Sequence, residues 1–348
     1  MKRMTRNAMW MLAALSLICG AGEAAASGRD RAGTAAAPEL LIPVGARDMA
    51  LGGASIANTS GLESLHWNPA GLARANNSAN VMFSTMDYMA GINVNYLAVS
   101  GRFQRLGSVA VSLKTLAIGD IPITTESKPD GTGGTFTPTF FTLGLTYARP
   151  LTDRITLGTT LNYVSNTMDR VDASTVAFSA GLQYANLANI QGLDFGVALK
   201  NIGPRMQFSG AGLLNRGTLQ DLRRPTAFYN IQASTADLPS LFEVGLGYRY
   251  EVTQQGKLNL NTMFQHHNYD FDQYKVGAEY VHRGVLALRG GFDYAASADD
   301  DEYLYGTSFG VGLKFGLGGA LQDVRVDYAY TTVDHFDGLN TLTLQVGF

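Results

Sequence analysis

The feature that most constrains the fold is a period-two alternation of apolar and polar side chains. In the segments 243–250, 309–317 and 323–330, alternate positions carry Val, Leu, Phe or Tyr, and the positions between them carry Gly, Ala or a charged residue. Similar segments lie at 141–147, 155–163, 176–184, 193–199 and 258–265. Because successive side chains of a β-strand point to opposite faces, each segment predicts a strand with one apolar face.

The scarcity of charged residues and of long apolar runs indicates what surrounds the apolar face of the strands. Charged residues make up only 16% of the 348 residues, and after residue 26 no run reaches the roughly 20 apolar residues of a transmembrane helix. A soluble β-sandwich or propeller also alternates, but it turns a polar face to water, whereas the polar set here is rich in Gly, Asn, Ser and Thr. Strands can cross a bilayer only in a closed barrel. The sequence therefore predicts an all-β fold, a closed antiparallel transmembrane β-barrel over residues 79–348.

Connection lengths predict the number of strands and their orientation. Outer-membrane barrels alternate short periplasmic turns with longer external loops. Long connections are expected around Asp334, Asp300, Asn268, Arg216, Asp169 and Pro129. The segment 225–233 is merged with the strand that ends at Tyr250, because counting it separately breaks this alternation. About fourteen strands result, with both ends of the barrel in the periplasm.

Aromatic residues at the ends of the predicted strands agree with this orientation. Outer-membrane barrels carry girdles of aromatic side chains at both membrane interfaces. The residues expected in the girdles are Tyr147, Tyr163, Tyr184, Tyr250, Tyr280, Tyr294, Phe315 and Tyr330. Aromatics also favour strands in general, so their clustering at strand ends is the informative part.

The first residues read as a secretory signal peptide, residues 1–26. Lys2, Arg3 and Arg6 precede a short apolar stretch, and alanines at 24–26 offer a cleavage site. The only cysteine, Cys19, lies in that stretch, so the mature chain is expected to have no thiol. Export to the outer membrane follows, with lipids and lipopolysaccharide as the surroundings of the barrel.

Residues 27–78 form the predicted N-terminal segment, and its motif residues suggest a plug. A fourteen-stranded barrel is too wide for its own side chains to fill. Gly52 and Gly53 permit a close approach to the wall, and Asn68-Pro69 fixes a turn. The hypothesis is that residues 39–76 lie in the lumen and limit permeation; the alternative is a periplasmic tail.

The same segment carries a family resemblance. Residues 43–57 read Pro-Val-Gly-Ala-Arg-Asp-Met-Ala-Leu-Gly-Gly-Ala-Ser-Ile-Ala, and residues 67–73 read Trp-Asn-Pro-Ala-Gly-Leu-Ala. This resembles the PorV/PorQ family within the FadL-like β-barrel superfamily, and further similar stretches lie at 197–203, 288–292 and 327–330. The resemblance implies a fourteen-stranded barrel with a plug motif. The motif residues are Gly45, Arg47, Gly52, Gly53, Asn68 and Pro69.

Charged residues in the polar phase are the other candidate functional groups. Arg289, Asp293, Lys314, Arg325 and Asp327 lie on neighbouring predicted strands, together with Lys275, Glu279 and Asp323. Their signs balance, which favours an ion-pair network over a selectivity ring. Binding of a fatty carboxylate by Arg289 or Arg325 is the alternative.

Several classes of site are not expected. A formal net charge of −3 without a basic run argues against nucleic-acid binding. His266 and His267 point to opposite faces of a strand, so they are expected at a solvated loop end and not around a metal ion. The acidic run 299–302 lacks the spacing of a calcium loop. No His–Ser pair has the spacing of a hydrolase, so no enzymatic activity and no cofactor are expected.

The resemblance to the PorV/PorQ family implies two alternative functions. The first is a non-enzymatic outer-membrane component of type IX secretion, with secretion-machinery or cargo proteins as partners. Its contact surfaces would be the two longest external loops, 118–138 and 205–224. The second is a FadL-like channel for fatty acids or other hydrophobic compounds, with an apolar luminal pocket and a kinked strand near Pro204 or Pro239.

Overall fold

The computed structural model describes residues 31–103, 106–217, 226–295, 298, 302–316 and 323–348. The predicted signal peptide and Cys19 lie outside the described residues. The wall strands are β1 (Ala79–Asp87), β2 (Asn93–Phe103), β3 (Gly107–Ala117), β6 (Thr139–Pro150), β7 (Ile155–Met168), β8 (Val171–Tyr184), β9 (Leu193–Ile202), β12 (Leu241–Thr253), β13 (Gly256–His267), β14 (Gln273–His282), β15 (Leu286–Ala295), β16 (Tyr305–Phe315), β17 (Asp323–Val333) and β18 (Leu339–Gly347).

These fourteen strands form one closed antiparallel barrel, as predicted. Strand β1 pairs with β18, with Val81 opposite Val346, and every other neighbour in the wall also follows in chain order. The two phases of each strand differ in exposure: Phe83 and Leu344 are exposed, whereas Ser84 and Thr343 are buried. None of the described helices has the length and apolar character needed to cross a bilayer.

The two rims of the barrel differ in their connections. One rim carries the long connections 118–138 and 203–240, which identifies it as the external rim. The expected alternation fails most clearly between β7 and β8, which are joined by residues 169–170 alone. It is also weak at the periplasmic connection 185–192, which is longer than the external connection 268–272. Met168 pairs with Val171 across this turn, and Asp169 has a φ of 50°. A two-residue hairpin turn needs such a backbone, and Asp tolerates it, so the prediction of a long loop around Asp169 is wrong.

The merging of 225–233 with the following wall strand is also wrong. Strand β11 (Ala227–Asn230) pairs with β10 (Leu214–Gly217) in a separate external hairpin. A second external hairpin is formed by β4 (Ile121–Pro122) and β5 (Thr135–Phe136). The wall resumes only at Leu241, after Pro239. The strand count was right because the hairpin adds no strand to the wall.

The described N-terminal residues, 31–78, pass through the inside of the barrel, and we call them the luminal segment. It contains the helices Ala46–Met49 and Ser64–Trp67 and the 3-10 helices Pro38–Leu40 and Pro69–Arg74. It makes hydrogen bonds to inward-facing side chains of β3, β13, β14 and β18. Strands so far apart around the wall can be reached together only from within.

The luminal segment runs from one rim to the other. Arg31 lies 3.2 Å from Asp237 and within hydrogen-bond distance of Asn268, both in external connections. At the other end, the Ser78 amide donates to the Phe348 carbonyl at 2.9 Å. Both ends of the wall therefore lie at the periplasmic rim, while the first described residue lies at the external rim.

Candidate functional site: the occupied lumen

Two glycines of the luminal segment leave room for close contacts, Gly52 with the wall and Gly53 with Trp67 of the same segment. Gly52 has a φ of +62°, and a Cβ there would lie 3.0 Å from the Phe292 backbone nitrogen. Gly53 has a φ of +76°, and its Cβ would lie 2.7 Å from the Trp67 ring. Both positions combine a left-handed backbone with a lack of space, so only glycine fits without strain.

Glycines of the wall strands lie opposite the luminal segment and leave room for it. Sequence reasoning did not identify these contacts. A Cβ at Gly196 would lie 2.7 Å from the Ala57 Cα, and one at Gly245 would lie 2.8 Å from Ile56. Gly158 faces the backbone of Pro69 at still shorter range. The available signal was glycine in the inward phase of several strands.

Asn68 and Pro69 form the turn at this contact. The Asn68 side-chain amide donates to the carbonyls of Ile56 at 2.9 Å and Leu182 at 3.1 Å. Its Oδ1 accepts from the Ala70 amide at 3.2 Å and caps the 3-10 helix that begins at Pro69. Asn68 is fully buried. It therefore fixes the turn and also joins the segment to β8.

Arg47 joins the segment to the charges of the wall. Its guanidinium contacts both carboxylate oxygens of Glu279, at 3.1 and 3.0 Å. Glu279 also accepts from Arg289 at 2.8 Å, and Arg289 reaches Asp327 at 2.6 Å. Four charges of alternating sign are thus linked in one buried chain, three on the wall and one on the luminal segment.

A second contact from the luminal segment extends this chain. Arg325 lies 2.8 Å from Asp327 and 3.0 Å from Glu63, which is fully buried. Gly45 leaves the space for Glu63, because a Cβ at Gly45 would lie 3.0 Å from the Glu63 side chain. Glu63 was missed from the sequence, since a lone glutamate in an irregular segment carries no periodic signal.

The other two predicted luminal charges lie apart from this chain. Asp293 pairs with Lys275 at 2.9 Å. Lys314 pairs with Asp323 at 2.8 Å, but its side chain is half exposed at the periplasmic end of β16. The structure therefore brings Arg289, Arg325 and Asp327 together and leaves Asp293 and Lys314 in separate pairs.

Burial changes the acidity of three groups on the luminal segment. It raises the pKa of Glu63 to about 7, although nearby Arg325 acts in the opposite direction. It also raises the pKa of Glu39 above its ordinary value. The pKa of His66 is lowered well below its usual range by burial, with Lys200 acting in the same direction. Burial thus shifts the equilibrium toward the neutral form at all three positions.

A cavity of about 250 Å³ lies between the luminal segment and the external ends of the wall strands. Its lining from the segment is largely apolar and includes Ile42 and Trp67, while Gln265 and Lys275 come from the wall. His267 also lines it and is only 5% exposed, so its predicted place at a solvated loop end is wrong. Among the described residues no cluster of His, Cys, Asp or Glu is arranged to hold a metal ion.

Ser308, which lines this cavity, lies in a Gly-x-Ser-x-Gly stretch. Residues 306–310 read Gly-Thr-Ser-Phe-Gly. In hydrolases this stretch forms a sharp strand-to-helix turn that exposes the serine. Here it lies within β16, and the Ser308 hydroxyl is 3.0 Å from that of Thr331. The geometry of a nucleophile elbow is therefore not formed.

Solved structures of two hydrocarbon channels share this architecture. The CymD monoaromatic hydrocarbon channel superposes with a TM-score of 0.55 at 14% identity, over 88% of this chain and 98% of that one. The Pseudomonas putida toluene transporter TodX gives 0.54 at 12% identity, over 87% and 97%. No curated protein matches the chain significantly. Fold and occupied lumen together define a closed fourteen-stranded β-barrel with the architecture of these channels.

The sequence itself places the chain more narrowly. Residues 25–244 match the family described as type IX secretion system protein PorV. This stretch is more than half of the chain and includes the luminal segment and the wall as far as β12. The protein belongs to the PorV family, and its location is the outer membrane.

Proposed function

We propose that the protein is a non-enzymatic component of type IX secretion that docks other proteins at the outer membrane. The family match over residues 25–244 carries the proposal. The occupied lumen supports it, because a barrel held shut by Arg47, Asn68 and Glu63 offers no passage to a folded cargo protein. A partner protein would therefore bind surfaces that lie outside the lumen, such as the external connections.

The external hairpin β10–β11 is the contact surface that we favour. Phe228 is 74% exposed, and Leu214 and Ile231 are also exposed. Large apolar side chains on an external loop are costly in water unless a partner covers them. Strand β10 lies within the predicted contact loop 205–224, and the structure extends this connection to residues 203–240, which include β11.

Deletion of the gene in the source bacterium tests the proposal. Cargo proteins with a C-terminal secretion signal should then remain in the periplasm, and the intact gene should restore them to the cell surface. Phe228→Ser should restore secretion poorly, whereas Phe336→Ser, which removes an exposed aromatic from the short loop 334–338, should restore it fully. Unchanged cargo location in the deletion strain would refute the proposal.

A second candidate function, a channel for hydrophobic compounds, is favoured by the cavity. Its apolar lining by Leu41, Ile42 and Trp67 suits a small apolar ligand. The fold likeness to CymD and TodX, whose names describe hydrocarbon transport, points the same way. Uptake of a radiolabelled fatty acid or of toluene by the deletion strain distinguishes the two. Slower uptake with normal secretion would favour the channel.

A further inference from the structure

The cavity beneath the external rim has two unlike sides. The luminal segment lines it with apolar side chains such as Leu41 and Ile42. The wall lines it mainly with polar side chains, and five adjacent strands, β9 and β12–β15, contribute Lys200, Glu243, Gln265, Lys275 and Asp293. A ligand that matches both sides must have an apolar body and a polar group.

Two ion pairs of the wall border this cavity, and each leaves one carboxylate oxygen without a partner. Lys200 lies 2.8 Å from Oε1 of Glu243, and Lys275 lies 2.9 Å from Oδ2 of Asp293. Within the described residues, Oε2 of Glu243 and Oδ1 of Asp293 accept no hydrogen bond. Both side chains are buried, with Glu243 only 1% exposed. A buried carboxylate oxygen without a donor is costly, so both positions favour a ligand that brings one.

Other inward carboxylates show what such an oxygen takes in this barrel. Asp194 pairs with Arg74 of the luminal segment at 3.5 Å, in addition to an arginine of the wall. Glu279 likewise pairs with Arg47 of the segment at 3.0 Å, in addition to an arginine of the wall. Each of these carboxylates thus holds two cations, one of them supplied by the segment. Next to the cavity the segment is apolar, so it supplies no second cation to Glu243.

The charges around the cavity also favour a cation over an anion. Among the described residues that line it, three carboxylates accompany two ammonium groups, because Asp270 of an external connection adds to the two ion pairs. His66 is neutral, since burial lowers its pKa well below the usual range. Nε2 of His267 accepts from the Gln265 amide at 2.7 Å, as a neutral ring does. One negative charge is therefore in excess, and a fatty carboxylate would add another.

We propose that the cavity binds a small amine with an apolar body. Its ammonium group donates to the unpaired oxygen of Glu243, and its body lies along Ile42 and Trp67 of the segment. Lys200 Nζ is 5.7 Å from the centre of the Trp67 ring, so this apolar surface adjoins the carboxylate. The proposal is independent of the docking function. It narrows the ligand of the second candidate function, but binding to the purified protein tests it whether or not the ligand is transported.

The fluorescence of Trp67 gives a direct readout of the cavity. The only other tryptophan, Trp10, lies in the predicted signal peptide, so the emission of protein purified from outer membranes reports on Trp67. Phenethylamine, phenethyl alcohol and hydrocinnamate share an aromatic body and differ in the head group. Phenethylamine should bind most tightly of the three. Glu243→Gln should weaken its binding at least about tenfold, the lower limit for a hydrogen bond to a charged group, and remove the preference for the amine.

Glu251→Gln is the matched control. This glutamate also lies on β12, but at the periplasmic end, where its side chain is 76% exposed and pairs with Lys257. Binding of phenethylamine should be unchanged in this variant. Because Glu243→Gln leaves Lys200 without its carboxylate, folding is checked by heat-modifiable gel mobility. If the variant does not fold, the order of the three probes on the native protein decides.

Four results would overturn the proposal: equal binding of the three probes, tightest binding of hydrocinnamate, unchanged amine binding in Glu243→Gln, or an equal loss in Glu251→Gln. Displacement of phenethylamine by calcium chloride, but not by sodium chloride at the same ionic strength, would also overturn it and would assign the unpaired oxygens to a metal ion.

Discussion

Removing the Arg47 guanidinium should loosen the luminal segment without opening the wall. Loss of one partner from a buried ion pair costs about 3–5 kcal/mol. The lower end applies to Arg47→Met, because Glu279 keeps its contacts with Arg289 at 2.8 Å and Asn259 at 2.8 Å. About 3 kcal/mol corresponds to a shift of about 100-fold in the equilibrium between the seated and the displaced segment.

Hydrogen exchange measures this shift directly, since the exchange rate of a protected amide reports its opening free energy. Amides of the helices Ala46–Met49 and Ser64–Trp67 should exchange about 100-fold faster in Arg47→Met, while amides of the wall strands keep their rates. The control Lys314→Met breaks a half-exposed pair with Asp323, which is worth at most about 1 kcal/mol. Unchanged exchange in the helices, or equal acceleration in the wall, would refute the reasoning.

Three further predictions concern the same segment. Because the pKa of Glu63 is raised from 4.5 to about 7, the folded state holds a proton that the unfolded state loses between these values. Stability to urea should therefore fall by up to about 3 kcal/mol as the pH rises through this window, and Glu63→Gln should abolish the fall. Gly158→Val should displace the segment and raise conductance in planar bilayers, unlike Gly290→Val, whose Cβ would meet only the Ser308 carbonyl oxygen at 3.9 Å. Equal conductance of the two variants would contradict the close approach. Arg31→Cys should react with an impermeant maleimide on intact cells and Arg283→Cys only after permeabilisation; the reverse pattern would invert the assigned orientation.

The wall was predictable because alternation is a local signal that each strand repeats. Segments such as 309–317 and 323–330 have one apolar phase, and the register of β16 and β17 follows from keeping those phases on one side. The errors arose where loop lengths and strand assignments were inferred from composition and from the expected alternation of connections, because the alternating pattern gave no signal there. The turn at Asp169 has polar neighbours like a long loop, and the hairpin at 227–230 has the composition of a wall strand.

The candidate site was predictable only in part. Inward charges such as Arg289 and Asp327 follow from the phase of their strands, and balanced signs suggest that they pair. Which of them meet depends on partners distant in sequence, such as Arg47 and Glu63, and no local pattern specifies these. The wall glycines at 158 and 196 show the same limit, because a small residue does not reveal what approaches it.

The passage of the luminal segment through the barrel constrains how the protein can be assembled. The first part of the chain to be made contacts residues made much later, as in the pair Arg47 and Glu279, 232 positions apart. Its final contacts include residues of β14 and β18, so they cannot form before these late strands exist. Closure of the wall by the pairing of β1 with β18 and placement of the segment are therefore linked steps of folding.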